Sequence, residues 1–341
     1  MKWPWKRKAA AADRVVVASR PDRLAYAWCD ATGRLKGCGL EERGRDSLPD
    51  FQRRLRALSL PARGGTAVLP LADAQLLQVE APAVKAEELK AAARWRVKDQ
   101  VDGRLDDMTI DVMVVGDERP RPNRQLFVAA AANATIQQCV ERARSAGVEV
   151  AVVDIAETAQ RNLQSELALA AGLAKRATAA LVRHGAVVLL TICAGGELYY
   201  ARRIDWDAPL AAPPAPKPAP RPVAALAFES ADFVDYGADS RLPVDAAPPG
   251  DAPRLVIELQ RSFDLWERSW PDLPLAVLWV DVGAESDALI DVLAGTLAQQ
   301  VAPLDAGAAF PGFDRLARTP AVRAAVLPIL GALLRSETRK L

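Results

Sequence analysis

Two stretches of this chain run through the same succession of elements: three short strands joined by tight turns, then a helix, then a buried strand. In the first, residues 14–19, 24–29 and 34–40 have the apolar content of strands. The breaks between them, Arg20-Pro21-Asp22 and Asp30-Ala31-Thr32-Gly33, carry turn chemistry. A short helix follows, with Ser47 as its cap and Phe51, Leu55 and Leu58 on one face, and residues 66–71 then read as a buried strand. In the second stretch, strands are expected at 177–183, 186–193 and 197–203, with turns at His184-Gly185 and Ala194-Gly195-Gly196. A helix begins near Arg254, and 275–282 is another buried strand. The letters of the two stretches are not alike, so what recurs is the pattern.

Two mixed sheets built in this order are the layout of a two-lobed α/β fold of the ribonuclease-H-like, actin-like class; the alternative is two unrelated α/β domains. The first lobe is assigned residues 14–74 and 149–176, and the second 177–341. An inserted α+β subdomain spans 75–148. It has strands at 75–80, 109–116 and 125–131 and a helix over 87–101 with Leu89, Ala92, Ala93 and Val97 near one face. A second helix, capped by Asn133, stops at Gly147. Asp154 and Glu157 have capping-box spacing at the next helix. Residues 207–250 are an insertion in the second lobe. Seven prolines fall between Pro209 and Pro222, which favours an extended surface segment and excludes a sheet.

Composition narrows the function. Lys and Arg number 44 against 43 Asp and Glu, a net charge of +1, without the basic excess that nucleic-acid binding wants. The four cysteines are scattered with no CxxC pair and His184 is the single histidine, a poor start for a zinc site or for a Ser-His-Asp triad. No run reaches the roughly 20 apolar residues of a membrane span, and no signal peptide is legible, so a cytoplasmic location is expected. Residues 1–13 are a tail in which Trp3 and Trp5 alternate with Lys2, Lys6, Arg7 and Lys8. It suits either an anionic membrane surface or a solubilising end. The paired carboxylates Glu87/Glu88 and Asp106/Asp107 read as solvated surface. Val256, Leu259, Phe263, Trp266 and Trp270 make a stripe that faces either the second lobe's sheet or, in self-association, another copy.

The segment LKAAARWRVKDQVDGRLDDMTIDVMVVG, residues 89–116, resembles the helix-then-strand signature of PilM-type proteins of bacterial type IV pilus assembly. Its marks here are Trp95, Asp106-Asp107 and Asp111. SAGVEVAVVDIAETAQRNL, residues 145–163, is similar to that family's passage from the inserted subdomain back to the first lobe. LVIELQRSFDLWERSW, residues 255–270, is similar to a helix in the family's mannose-sensitive haemagglutinin (MSHA) pilus variant. The cytoplasmic domain of the type II secretion protein L is a close structural competitor. The resemblance implies an actin-like fold at the inner membrane. There it implies docking of the short cytoplasmic tail of a PilN-like membrane partner, in a groove between the first lobe and the inserted subdomain. Trp95 reads first as core of the subdomain and second as a candidate partner contact.

The resemblance also locates a nucleotide cleft. Actin-type ATPases place an Asp at each of two strand turns to hold Mg²⁺, a hard cation that prefers oxygen ligands. The matching positions here are Ala18, followed by Ser19-Arg20-Pro21, and Arg183, followed by His184-Gly185. Pro21 also removes a backbone donor. The Gly-Gly pair near the adenosine is reduced to Gly283, with Asp281 close by. The expectation is a vestigial cleft at Ala18, Arg183, Gly185 and Gly283 that turns over no ATP and needs no cofactor or metal. Nucleotide binding without Mg²⁺ stays open, and an active ATPase is the competing function.

Overall fold

The computed structural model describes residues 13–116, 124–206 and 254–336. The proline-rich insertion and nearly all of the N-terminal tail lie outside the described residues. The first stretch forms β1 (Arg14–Arg20), β2 (Arg23–Cys29), β3 (Leu35–Glu42), α1 (Leu48–Ala57) and β4 (Gly65–Val68). Ser47 caps α1, its hydroxyl accepting from the Asp50 amide at 3.3 Å. The inserted unit contributes β5 (Gln75–Glu80), α2 (Leu89–Arg96), β6 (Met108–Val114) and β7 (Gln125–Ala132). Then come α3 (Asn133–Ser145), β8 (Val150–Asp154) and α4 (Ala156–Ala170). The second stretch forms β9 (Ala177–His184), β10 (Val187–Ala194), β11 (Glu197–Asp205), α5 (Arg254–Ser269) and β12 (Leu275–Asp281). It closes with α6 (Ser286–Ala294), β13 (Gln300–Pro303), α7 (Ala306–Ala309), α8 (Phe313–Leu316) and α9 (Pro320–Leu330).

The two five-stranded sheets have one topology. Their orders are β3-β2-β1-β4-β8 and β11-β10-β9-β12-β13. In each, a three-stranded antiparallel meander is extended by two parallel strands. This is the two-lobed actin-like fold. Helices α4 and α9 lie between the lobes, in a core that takes Val16 and Ala27 from the first sheet and Ala180, Val182 and Trp279 from the second. On the outer face of the second sheet, Val256, Leu259, Phe263 and Trp266 of α5 are buried, with the Tyr199 ring edge-on to Trp266 at 5.8 Å.

The inserted sheet, ordered β5-β7-β6, is covered on both faces. Ala93 and Val97 pack on Ile110, Leu126 and Val128, while Phe127, on the opposite pleat, packs with Val115 against Cys193 and Leu198 of the second lobe. The Gly116 amide donates to the Leu198 carbonyl at 2.8 Å, tying the unit to the β10–β11 hairpin.

Four local expectations are corrected. Helix α2 stops at Arg96 instead of near 101, because the chain beyond it folds back and Gln75 and Asp102 exchange hydrogen bonds of 2.6 and 3.2 Å. Asn133 begins α3 without capping it; its side chain accepts from the Thr109 hydroxyl at 2.7 Å and reaches the Asp106 carbonyl. Asp154 and Glu157 form no capping box. Asp154 holds the Ile155 amide at 2.9 Å and the Thr158 hydroxyl, and Glu157 turns to the second lobe. Finally, α3 packs on the first sheet, where Cys139, Ala143 and Ala146 bury with Val15, Val17, Phe51 and Leu55.

Candidate functional site

Of the candidate cleft residues, Ala18 and Arg183 lie near the ends of β1 and β9, before the equivalent β1–β2 and β9–β10 turns, Gly185 lies in the second of these turns, and Gly283 follows β12. Ala18 is half-buried against the interlobe core. The next residue, Ser19, is buried, and its hydroxyl is already engaged: it donates to Cys139 Sγ at 3.9 Å and accepts from Arg142 Nε at 3.3 Å. Helix α3 therefore engages the polar group that follows Ala18.

At the second turn, Arg183 Nε donates to the Gly185 carbonyl at 2.9 Å and its terminal nitrogen lies 3.3 Å from Glu285. The guanidinium also sits over the Trp206 ring at 4.9 Å. Gly185 has φ 72°, a left-handed conformation, and open space where a Cβ would be. Glu285 links this corner to Gly283, so Arg183, Gly185 and Gly283 come together while Ala18 belongs to the other lobe. The charge of Asp281 is met within the protein. One oxygen accepts the Gly283 amide at 3.2 Å, the other accepts Arg323 Nε at 2.9 Å, and Arg323 also reaches Asp314 at 2.6 Å.

Sequence reasoning missed a polar seam beside this cleft. Glu157, Gln160 and Gln164 follow a 3,4 spacing along α4 and all face the second lobe. Glu157 is 1% exposed and pairs with Arg203 at 2.7 Å, and Arg203 also donates to the Ala74 carbonyl at 2.8 Å. Gln160 donates to the carbonyls of Ala180 and Leu189 at 3.0 Å and to the Thr191 hydroxyl at 2.9 Å. Thr191 in turn donates to Gln164 Oε1 at 2.6 Å, and Gln164 donates to the Thr178 carbonyl, also at 2.6 Å. The signal was the spacing of these polar residues inside an otherwise Ala- and Leu-rich helix. Nearby, burial and the Arg203 charge push the His184 imidazole down to about 4.

Trp95 is 69% exposed, which overturns its core reading. Ala93 and Val97, four apart, share the inward stripe of α2. Trp95 is two residues from each, about 200° round the helix, and points out. Lys98 Nζ lies 5.8 Å from its ring centroid. Among the described residues, no group of three or more His, Cys, Asp or Glu side chains stands ready to hold a metal ion, and no helix is long and apolar enough to cross a membrane.

No protein-family model matches the chain, and no curated protein matches it. Among solved structures, it is similar to a chain of the PilM-PilN type IV pilus biogenesis complex. That match has 14% identity and a TM-score of 0.64, over 94% of this chain and 98% of that one. A Bacteroides thetaiotaomicron protein with an actin-like ATPase fold and unknown function matches with 7% identity and a TM-score of 0.46, over 86% of this chain and 91% of that one. The cytoplasmic domain of EpsL, an inner-membrane component of the Vibrio cholerae type II secretion system, matches with 12% identity and a TM-score of 0.40. It covers 57% of this chain and 71% of that one. In fold, then, the chain is PilM-like: two actin-like lobes along nearly its whole described length.

Proposed function

We propose that this protein is a non-enzymatic scaffold of type IV pilus assembly, of the MSHA type and similar to MshI. In this reading it works at the cytoplasmic face of the inner membrane, held there by a PilN-like partner whose N-terminal tail it docks. The observation that carries the reading is the likeness of fold over 94% of the chain to the PilM-PilN complex. The commitment of Ser19, Arg183 and Asp281 to neighbours within the protein supports a cleft that no longer serves ATP.

The tail is assigned to the groove between the first lobe and the inserted sheet. Because α3 packs on the first sheet, it belongs to the first-lobe wall of that groove. A short peptide loses conformational entropy on binding, so a few buried apolar anchors must supply most of the affinity. Trp95, exposed at rest and able to cover a large area, is the assigned anchor.

The test is a calorimetric titration of the N-terminal peptide of a PilN-like protein into the full chain and into Trp95→Ala. Binding by the full chain, weakened roughly tenfold by Trp95→Ala, is expected for an anchor residue. Absence of binding to any pilus-platform tail would overturn the scaffold reading. Equal binding by both proteins would remove Trp95 from the site.

A further inference from the structure

One end of the first lobe collects positive charge. Strands β1, β4 and β8 run parallel and all begin there, and β2 ends there, since Arg14 is paired with Cys29. Arg34, in the β2–β3 turn, and Lys36, early in β3, lie at this end, and the pairing of Val16 with Thr66 sets Arg63 just beyond the start of β1. Helices α1 and α3 finish beside them. Arg56 Nε donates to the Ser145 carbonyl at 3.2 Å, and the Glu149 amide, just before β8, donates to the Ala62 carbonyl at 2.7 Å. Arg144 lies in the last turn of α3. The inserted unit leaves the first lobe after β4, from the opposite end of that strand.

Neighbours do not cancel this charge. Arg34, Arg56, Arg63 and Arg144 are exposed and, among the described residues, stand in no ion pair. Of the acids at this end, Asp30 is taken up by its own turn, accepting from the Thr32 amide at 2.9 Å, and by Lys36 Nζ at 3.3 Å. Asp13 and Glu149 remain. The chain that enters β1 at Arg14 comes from residues 1–12, outside the described residues, which read MKWPWKRKAAAA: four cations, two tryptophans and no acid. Tail and lobe end together hold a clear basic excess in a chain whose total is +1, so the remainder is net acidic.

We infer that the tail and this end of the first lobe form a membrane-surface site, whose occupant is a bilayer containing anionic lipid. Tryptophan settles at the headgroup level, where its apolar ring and its polar N–H are both accommodated, and Trp3 and Trp5 lie among the cations that hold them there. Each Lys or Arg near such a surface raises the affinity about fivefold. A single anchoring signal gives only marginal, reversible binding, and a second set of cations on the lobe adds to it. Trp3 is eleven residues before Arg14, a reach of at most about 40 Å, so an anchored tail keeps the lobe's cations close to the same surface. A soluble polyanion would meet the cations but offers no apolar–aqueous boundary for the two indoles. The inference does not depend on a pilus role or on a partner, so its failure leaves the proposed function untouched.

The experiment is flotation of the full chain, without any partner protein, on vesicles of phosphatidylcholine alone or with one-third phosphatidylglycerol. Binding to the anionic vesicles only, falling as salt is raised, is expected. Lys2→Gln/Lys6→Gln/Arg7→Gln/Lys8→Gln should weaken it about a hundredfold or more, and Arg34→Gln/Arg63→Gln/Arg144→Gln about tenfold or more. Arg268→Gln, at an exposed position of α5 in the second lobe, is the charge control and should bind unchanged. With the wild type, brominated lipid should quench part of the tryptophan emission, and Trp3→Ser/Trp5→Ser should remove that quenching; this readout needs no lobe variant to fold. Absence of binding to anionic vesicles, equal binding to neutral ones, or unchanged binding by the four-cation variant would overturn the proposal. Unchanged binding by the lobe variant would overturn the part assigned to the lobe. Tighter binding of an oligonucleotide than of vesicles at equal charge, with no quenching by brominated lipid, would make this a nucleic-acid arm and overturn the bilayer assignment.

Discussion

Gly331 meets Ala159 backbone to backbone: a Cβ on Gly331 would sit 1.9 Å from the Ala159 carbonyl oxygen and 2.8 Å from the Leu163 amide nitrogen. This is where the turn after α9 crosses α4, inside the core shared by both lobes. The glycine has ordinary right-handed torsions, φ −65° and ψ −19°, so it is needed for closeness and not for conformation.

Gly331→Ala should therefore be costly. The obstacle is main chain on both sides, which cannot rotate away, so the crossing must open. Overpacking of this kind costs about 1–3 kcal/mol or more, and a melting temperature lower by several degrees is expected on the scale of about 2–4 °C per kcal/mol. Gly185→Ala has open space and only the left-handed penalty of about 1 kcal/mol. Thermal unfolding of the two variants checks the order, and a smaller loss at Gly331 would show that the lobes separate easily.

The Glu157–Arg203 pair predicts an asymmetric result. Arg203→Met leaves a carboxylate in a buried site without its cation, a situation that costs about 3 kcal/mol or more. Glu157→Gln/Arg203→Met removes the stranded charge and should recover a large part of the loss. A double-mutant cycle by urea unfolding reads the coupling. Additive effects would mean that the pair does not join the lobes.

The meander of each lobe was legible because its turns are written in Pro, Asp and Gly at the places where the strands reverse. Phe51 and Leu55 were legible from spacing alone as the buried face of α1, and Leu259 and Trp266 as part of an apolar stripe whose partner, the second sheet or another copy, the spacing left open. What escaped was set by partners distant in sequence. Gln75 ends α2 by holding Asp102, Thr109 recruits the Asn133 side chain away from the cap, and Arg203 draws Glu157 across the lobe junction. Trp95 misled because a large aromatic on a helix suggests a core position, whereas phase relative to Ala93 and Val97 decides the face. The cleft positions Ala18 and Arg183 were assigned by resemblance, but the engagement of the adjacent Ser19 by α3 and of Arg183 by Glu285 needed the fold.

Stability should fall as the pH is lowered from about 6.5 to about 4. His184 is the sole histidine, so its titration is isolated. Burial and Arg203 bring its folded pKa to about 4 from an ordinary 6.5. The unfolded chain then binds more protons between these values, and stability rises with pH across that window. The group contributes no such slope above about 6.5, and the loss levels off below about 4. Protonation of this one imidazole accounts for at most about 3 kcal/mol of the change. His184→Gln should flatten the dependence between pH 6.5 and 5. A His184 imidazole that titrates near 6.5 by NMR in the folded protein would contradict the burial argument.

No Mg²⁺-dependent ATP hydrolysis above background is expected from the purified protein. Mg²⁺ keeps several waters and is held by carboxylates together with phosphate oxygens. At the two turns where the resemblance places those carboxylates, the chain has a methyl group at Ala18 and a cation at Arg183. Arg183 cannot readily be lent to a phosphate, since Gly185, Glu285 and the Trp206 ring hold its guanidinium on three sides. Asp281 cannot substitute as a ligand without giving up both Arg323 and the Gly283 amide. Phosphate release is measured with wild type and Arg183→Ala at saturating Mg²⁺ and ATP, alongside equilibrium binding of ATP without metal. Binding without turnover fits a cleft that has kept its shape and lost its chemistry. Turnover by the wild type that disappears in Arg183→Ala would instead make this protein an ATPase that uses an arginine where its fold relatives are expected to use a carboxylate.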